Sequence, residues 1–145
     1  MKLNDYLEEW KKDSKLSYED LDKDTLHLAN LHAKYLEYYS FEKRRLSAIT
    51  EKVYPKLRME KREFYTMGPH EDTPEDWKLP AHGKVMVKDI ETYLAGDNDM
   101  IQLNLQVSQQ KLIVEVLREI LEDMKDKRWS IKNIIDFRKI TGGDY

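Results

Sequence analysis

Residues 25–53 carry the pattern that most constrains the fold. Leu28, Leu31, Tyr35 and Tyr38/Tyr39 recur at spacings of three and four, and Leu46, Ile49, Val53 and Leu57 continue the stripe. Only an α-helix returns side chains to one face at that interval, and charges fill the opposite side. The stripe is interrupted near residues 42–45, so it is not a continuous coiled-coil seam. Pro55 has no N–H, and its ring crowds the preceding turn. A kink or break is expected there, with the helix restarting through Leu57 and Phe64 to about Thr66.

A second long helix is expected over about 99–126. Ile101, Leu103, Leu105 and Val107 alternate with polar residues as in a half-buried strand. Leu103, Val107, Val114, Leu117, Leu121 and Met124 sustain helical spacing for longer, and the longer pattern decides. Asp97 or Asp99 would cap it. Val85 and Val87 alternate like a strand, whereas Ile90, Tyr93 and Leu94 suit a helical turn ended by Gly96, so residues 84–96 stay ambiguous. Leu3, Tyr6, Leu7 and Trp10 mark a short amphipathic helix over 1–13. Asp24 or Thr25 would N-cap the next helix.

Three of the four prolines and two of the five glycines fall in residues 67–83. A loop of that length in a compact domain is functional or mobile by expectation. Near the C-terminus, Ser130 would cap a last helix that Gly142 ends, with Ile131, Ile134, Ile135 and Arg138 on one face. Roughly ten residues make a marginal helix alone, so that face must be buried on its own subunit or another. The expected fold is all-α, a single domain over 1–145. It is a long helical hairpin with a mobile central loop (67–83) and a short C-terminal oligomerisation helix (130–141).

Composition narrows the chemistry. The chain has no cysteine, which excludes disulfides, thiolate nucleophiles and cysteine-based zinc sites. The N-terminus lacks an apolar signal region, and no apolar run reaches the ~18 residues of a membrane span. A soluble intracellular protein with no membrane association is expected. No phosphate-binding glycine loop, nucleophile elbow or zinc-protease motif occurs. His27 and His32 are five apart and do not share a face as a metal pair would. His70, Glu71, Asp72 and His82 offer a weak loop metal site, the basis of a rival enzyme reading. The reading adopted has no enzymatic activity, no metal and no cofactor.

The net charge of −3 conceals blocks of opposite sign. Residues 41–62 hold eight Lys/Arg and three Glu, and residues 125–139 hold six Lys/Arg and two Asp. Residues 89–123 carry two basic residues against eight acidic ones. The first basic block runs into YPKLRMEKREFYTMGP at 54–69, where cations precede rings. Single-strand binders combine cations that follow phosphates with rings on which bases stack, each ring contributing ~1–3 kcal/mol. Lys56, Arg58, Lys61, Arg62, Phe64 and Tyr65 fit that recipe, and Arg44 and Arg45 extend it. An ordinary solvated helix face, with Phe64 in the core, fits the same residues. Trp129 is more often a core or interface anchor than a stacking platform.

Three stretches resemble the UvsY family of recombination mediators of T-even-like tailed phages. They are the N-terminal MKLNDYLEEWKKDSK, then KDIETYLAGDND, with Lys88, Asp89, Ile90, Thr92, Leu94, Asp97 and Asp99 in the family pattern. The last is WSIKNIIDFRKI, with Ile131, Lys132, Ile134, Asp136 and Arg138. The resemblance implies a non-enzymatic protein that binds single-stranded DNA. It would help a RecA-like recombinase displace the single-strand DNA-binding protein, in the cytoplasm of the infected bacterial host. It implies a ring-like homo-oligomer, a hexamer or heptamer, joined through the C-terminal region. Trp129, Ile131, Ile134, Ile135 and Phe137 are the expected seam. The family's DNA-binding motif maps onto Lys61, Phe64, Tyr65 and Gly68. Its earlier lysine falls on Met59 unless Arg58 replaces it, and Pro55 is a departure. The rival is a structural or chaperone-like helical homo-oligomer without DNA binding.

Overall fold

The structure, a computed structural model, describes residues 1–142. Its elements are α1 (Leu3–Asp13), α2 (Leu21–Ala48), a π-helical turn (Ile49–Val53), α3 (Tyr54–Met67), a short 3₁₀ turn (Val87–Asp89), α4 (Ile90–Gly96) and α5 (Asn98–Ile140). Among the described residues there is no strand, so the all-α expectation holds. The ambiguous stretch after Val85 resolves as the 3₁₀ turn and α4. The chain divides into two compact units, residues 1–44 with 111–145 and residues 45–110.

The first unit is built from α1, α2 and the later turns of α5. Tyr6, Leu28, Leu31 and Tyr35 pack with Leu117, Ile120, Met124 and Ile131 in one buried cluster. Each such side chain contributes ~1.5–3 kcal/mol of burial. Thr25 lies beside the 125–139 turns, and Tyr39 lies near Arg118, so α2 and α5 run antiparallel here as the expected hairpin does. Rings tighten the seam: Trp10 meets Tyr35 edge-on at 5.4 Å, and Tyr35 meets Tyr38 at 5.5 Å. Lys34 bridges Glu9 at 2.9 Å and Asp13 at 2.5 Å, tying α1 to α2. Burial opposes charge on Asp13, but Lys34 and the Tyr35 hydroxyl overcome it and hold this carboxyl below its ordinary value.

The helix boundaries differ from the sequence expectation in two places. Helix α2 starts a turn early, because the Asp20 carboxylate accepts the Lys23 N–H at 3.2 Å and caps it. Asp24 instead accepts the Tyr18 N–H at 2.8 Å and holds the preceding loop. The C-terminal residues are helical as expected, but as the last turns of α5. Ser130 caps nothing: its hydroxyl donates to the Asp126 carbonyl at 3.1 Å, a bond available only inside a running helix. The break expected at Pro55 is a π-helical turn ending at Val53, after which Pro55 sits in the first turn of α3. Widening the turn there accommodates a carbonyl that a proline cannot satisfy.

Candidate nucleic-acid interface

The cation–aromatic strip on α3 lies in the second unit. Four of its positions, Leu57, Lys61, Phe64 and Tyr65, fall at spacings of three and four and turn inward. Phe64, Tyr65, Val85, Ile90 and Leu94 form the buried cluster of this unit, with Trp77, Leu79 and Tyr93 packed against it. The loop after α3 folds back to complete it. Gly68 ends the helix at φ 89°, and its N–H reaches the Phe64 carbonyl at 2.9 Å. The Val85 N–H then bonds the Tyr65 carbonyl at 2.8 Å, and Trp77 meets the Phe64 ring at 5.5 Å.

Lys61 is only 3% exposed. Its ammonium lies 3.0 Å from Asp97 and 2.8 Å from Asp99, and 3.9 Å from the Trp77 ring centroid. The Tyr65 hydroxyl donates to Asp97 at 2.6 Å, and the Met100 N–H donates to the other Asp97 oxygen at 3.0 Å. Asp97 is therefore the N-cap of α5 and the counter-ion of a buried lysine at once. Burial works against its charge, but Tyr65, Met100 and Lys61 outweigh it and hold the carboxyl below the ordinary aspartate value. Burial, then the bond to Asp97, pushes the Tyr65 phenol above its ordinary range.

The structure thus places part of the expected strip in the interior. Lys61, Phe64 and Tyr65 are interior, so in this conformation they present neither a cation nor a ring to a nucleic acid. The reason is phase: these positions coincide with the apolar stripe of α3. Arg58 is half-buried, with its guanidinium 2.6 Å from Glu91, which raises its pKa. Lys56 and Arg62 are exposed on α3, and Arg62 adds its charge to the field at Glu91. Arg45 is exposed in the same unit. Arg44, exposed on α2, belongs to the first unit and donates to the Ser40 carbonyl at 3.4 Å.

The expected assembly face is also partly internal. Ile131 is 3% exposed, and Ile134 and Ile135 pack half-buried against the same core, so this subunit covers part of its isoleucine face. Trp129 and Phe137 point outward, at 55% and 66% exposure, together with Ile140. The loop histidines do not converge. His70 Nδ1 accepts the Asp72 N–H at 3.2 Å, and His82 bonds the Tyr93 hydroxyl at 2.8 Å. Among the described residues no group of three or more His, Asp or Glu is placed to hold a metal. Among them, too, no helix is long and apolar enough to cross a membrane.

Sequence reasoning missed the carboxylate partners of Lys61 and the cover that Trp77 provides. The proximity of Asp97 and Asp99 to Lys61 had one available signal, the acidic pair at the start of a helix following a loop long enough to fold back.

The fold has close counterparts. Crystal structures of the bacteriophage T4 recombination mediator protein UvsY align at TM-scores of 0.78 and 0.80. They are 22% and 21% identical, and the alignments cover 99% and 97% of this chain and 99% of each T4 chain. None of the curated proteins matches. A family model described as "Recombination, repair and ssDNA binding protein UvsY" matches residues 9–144. A match that runs through both units and from the middle of α1 to the end of α5 leaves one assignment, and the chain belongs to the UvsY family.

Proposed function

We propose that this protein is a recombination mediator. It binds single-stranded DNA and helps load a RecA-like recombinase onto strands covered by single-strand DNA-binding protein, in the cytoplasm of the infected host. The observation that carries the reading is the family match over residues 9–144. The chemistry required is weak, repeated contact rather than catalysis. A few cations per subunit hold a strand loosely, and a homo-oligomeric ring multiplies them by raising the effective concentration of each contact. Lys56 and Arg62 are the cations of the α3 strip that face water and suit this role. Phe137 and Ile140, apolar and exposed on the last turns of α5, suit self-association into a hexamer or heptamer.

The direct test is recombinase filament assembly on a strand precoated with single-strand DNA-binding protein. Adding the protein should shorten the lag before strand exchange, and an unchanged lag would contradict the proposal. Phe137→Asp should lower the oligomer mass in light scattering while preserving helicity, because a charge would be buried in the seam. Ile134→Asp is a poorer probe, since Ile134 supports the subunit's own core. The rival, a helical oligomer without DNA binding, draws on the burial of Lys61, Phe64 and Tyr65. Absence of single-strand binding by the oligomer would favour it.

A further inference from the structure

The C-terminal turns of α5 carry a second junction of cations and a ring. Lys125, Arg128, Lys132 and Lys139 line one flank of the helix, and all four are exposed. Three of them repeat every seven residues, each one position after a core site or its equivalent at 124, 131 and 138. That phase keeps the ammonium groups on a rim beside the core without entering it. Among the described residues none of the four is in an ion pair, whereas Lys61 and Arg58 are both engaged by carboxylates. Lys132 lies 4.9 Å from the centroid of the Trp129 ring, which is 55% exposed. Beside them opens a groove of about 630 Å³, floored by Ile131 and Ile135 and walled by Thr25 of α2. Asp136 is the one carboxylate among its lining residues.

We propose that this flank is a contact strip for single-stranded nucleic acid, with the cations on successive phosphates and a base stacked on Trp129. The proposal rests on the single-strand binding reading above and locates a site for it. From Lys125 to Lys139 the helix rises about 21 Å, enough to follow several phosphates of one strand. An unpaired cation row releases counterions when a phosphate chain replaces them, which a row already neutralised by carboxylates does not. A ring held open to solvent beside that row supplies the stacking partner such sites use. The net positive charge of the flank suits a polyanion, and the exposed Trp129 ring beside it suits one that carries bases.

The test is titration of the full-length protein with a fluorescent oligothymidylate at several salt concentrations, with oligomer mass followed by light scattering. The K125Q/R128Q/K132Q/K139Q variant should bind about tenfold more weakly at moderate salt, and the slope of log affinity against log salt should shrink by about 3. Oligomer mass and melting temperature should not change. Trp129→Phe should lose most of the tryptophan quenching that the oligonucleotide causes, because Trp10 and Trp77 are partly buried. If the fourfold variant folds poorly, K125Q/K139Q at the ends of the strip should still reduce the slope by about 1.4. Wild-type affinity and slope in the variants, with the wild type binding, would overturn the strip and leave single-strand binding standing elsewhere. A wild type that binds nothing at low salt would remove the parent reading and the strip together. A fall in oligomer mass in the fourfold variant would make the flank a seam between copies and overturn the proposal.

Discussion

Lys61 and Lys132 both sit by a tryptophan ring, at 3.9 Å and 4.9 Å, and there the likeness ends. Lys61 is buried between Asp97 and Asp99 in the second unit, under Trp77. Lys132 is exposed in the first unit, in a row of cations without carboxylate partners among the described residues. The difference comes from helical phase. On α3 the lysine occupies a stripe position, so it is drawn inside and needs counter-charges. On α5 the lysines follow the stripe by one residue, so they line its edge. One cation–aromatic recipe therefore gives a structural clamp in one place and an available surface in the other. Sequence proximity of cation and ring does not distinguish the two, whereas register against the apolar stripe does.

The sharpest way to break this contrast is to neutralise each lysine in turn. Lys61→Met leaves Asp97 and Asp99 without their buried counter-charge and should cost about 3 kcal/mol of stability. Lys132→Met should change stability by less than about 0.5 kcal/mol. Denaturant unfolding of both variants decides the matter, and equal losses would erase the distinction. Next in size, Trp77→Ala removes the cover over Lys61 and Phe64 and should cost about 2 kcal/mol, less than for a fully buried tryptophan. An unchanged unfolding midpoint would mean that the loop contributes no cover.

A smaller effect separates the strips by pH. Asp97 has a folded-state pKa below its ordinary value of 3.8. The stabilisation this represents is fully present above pH 3.8 and is lost as pH falls through the lower folded value. Asp13 behaves in the same way in the first unit. Acid should therefore loosen the Lys61 clamp while the α5 cations keep their charge. Melting temperatures from pH 5 downward, in wild type and in Asp97→Asn, test this. A wild-type curve no steeper than that of the variant would exclude Asp97 as a source of the acid sensitivity.

Much of the fold was legible in the sequence. The stripe from Leu28 to Leu57 placed α2 and α3, and the cluster of glycines and prolines placed the loop. Of the two caps expected for α5, Asp97 and Asp99, the structure uses Asp97. What failed were features set by tertiary contact. Ser130 looked like a cap because its hydroxyl suits one, yet the 124/131 packing carries the helix through it. Lys61 looked solvent-facing because lysine is rarely buried, and the two aspartates that permit its burial lie more than thirty residues away. Ile131 was expected to bury its face on its own subunit or another, and the sequence could not show that it joins a core built with residues of α1 and α2. The basic block at 125–139 was visible in charge counts, but its register as an open row required the helix to be continuous.

The proposed function needs single-stranded DNA to be held through exposed cations repeated over an oligomer. The most direct measurement is titration of the wild-type protein with a fluorescent single-stranded oligonucleotide across salt concentrations, with a duplex control. Preferential single-strand binding that weakens steeply as salt rises is expected. Absence of binding at low salt, or equal affinity for the duplex, would contradict it.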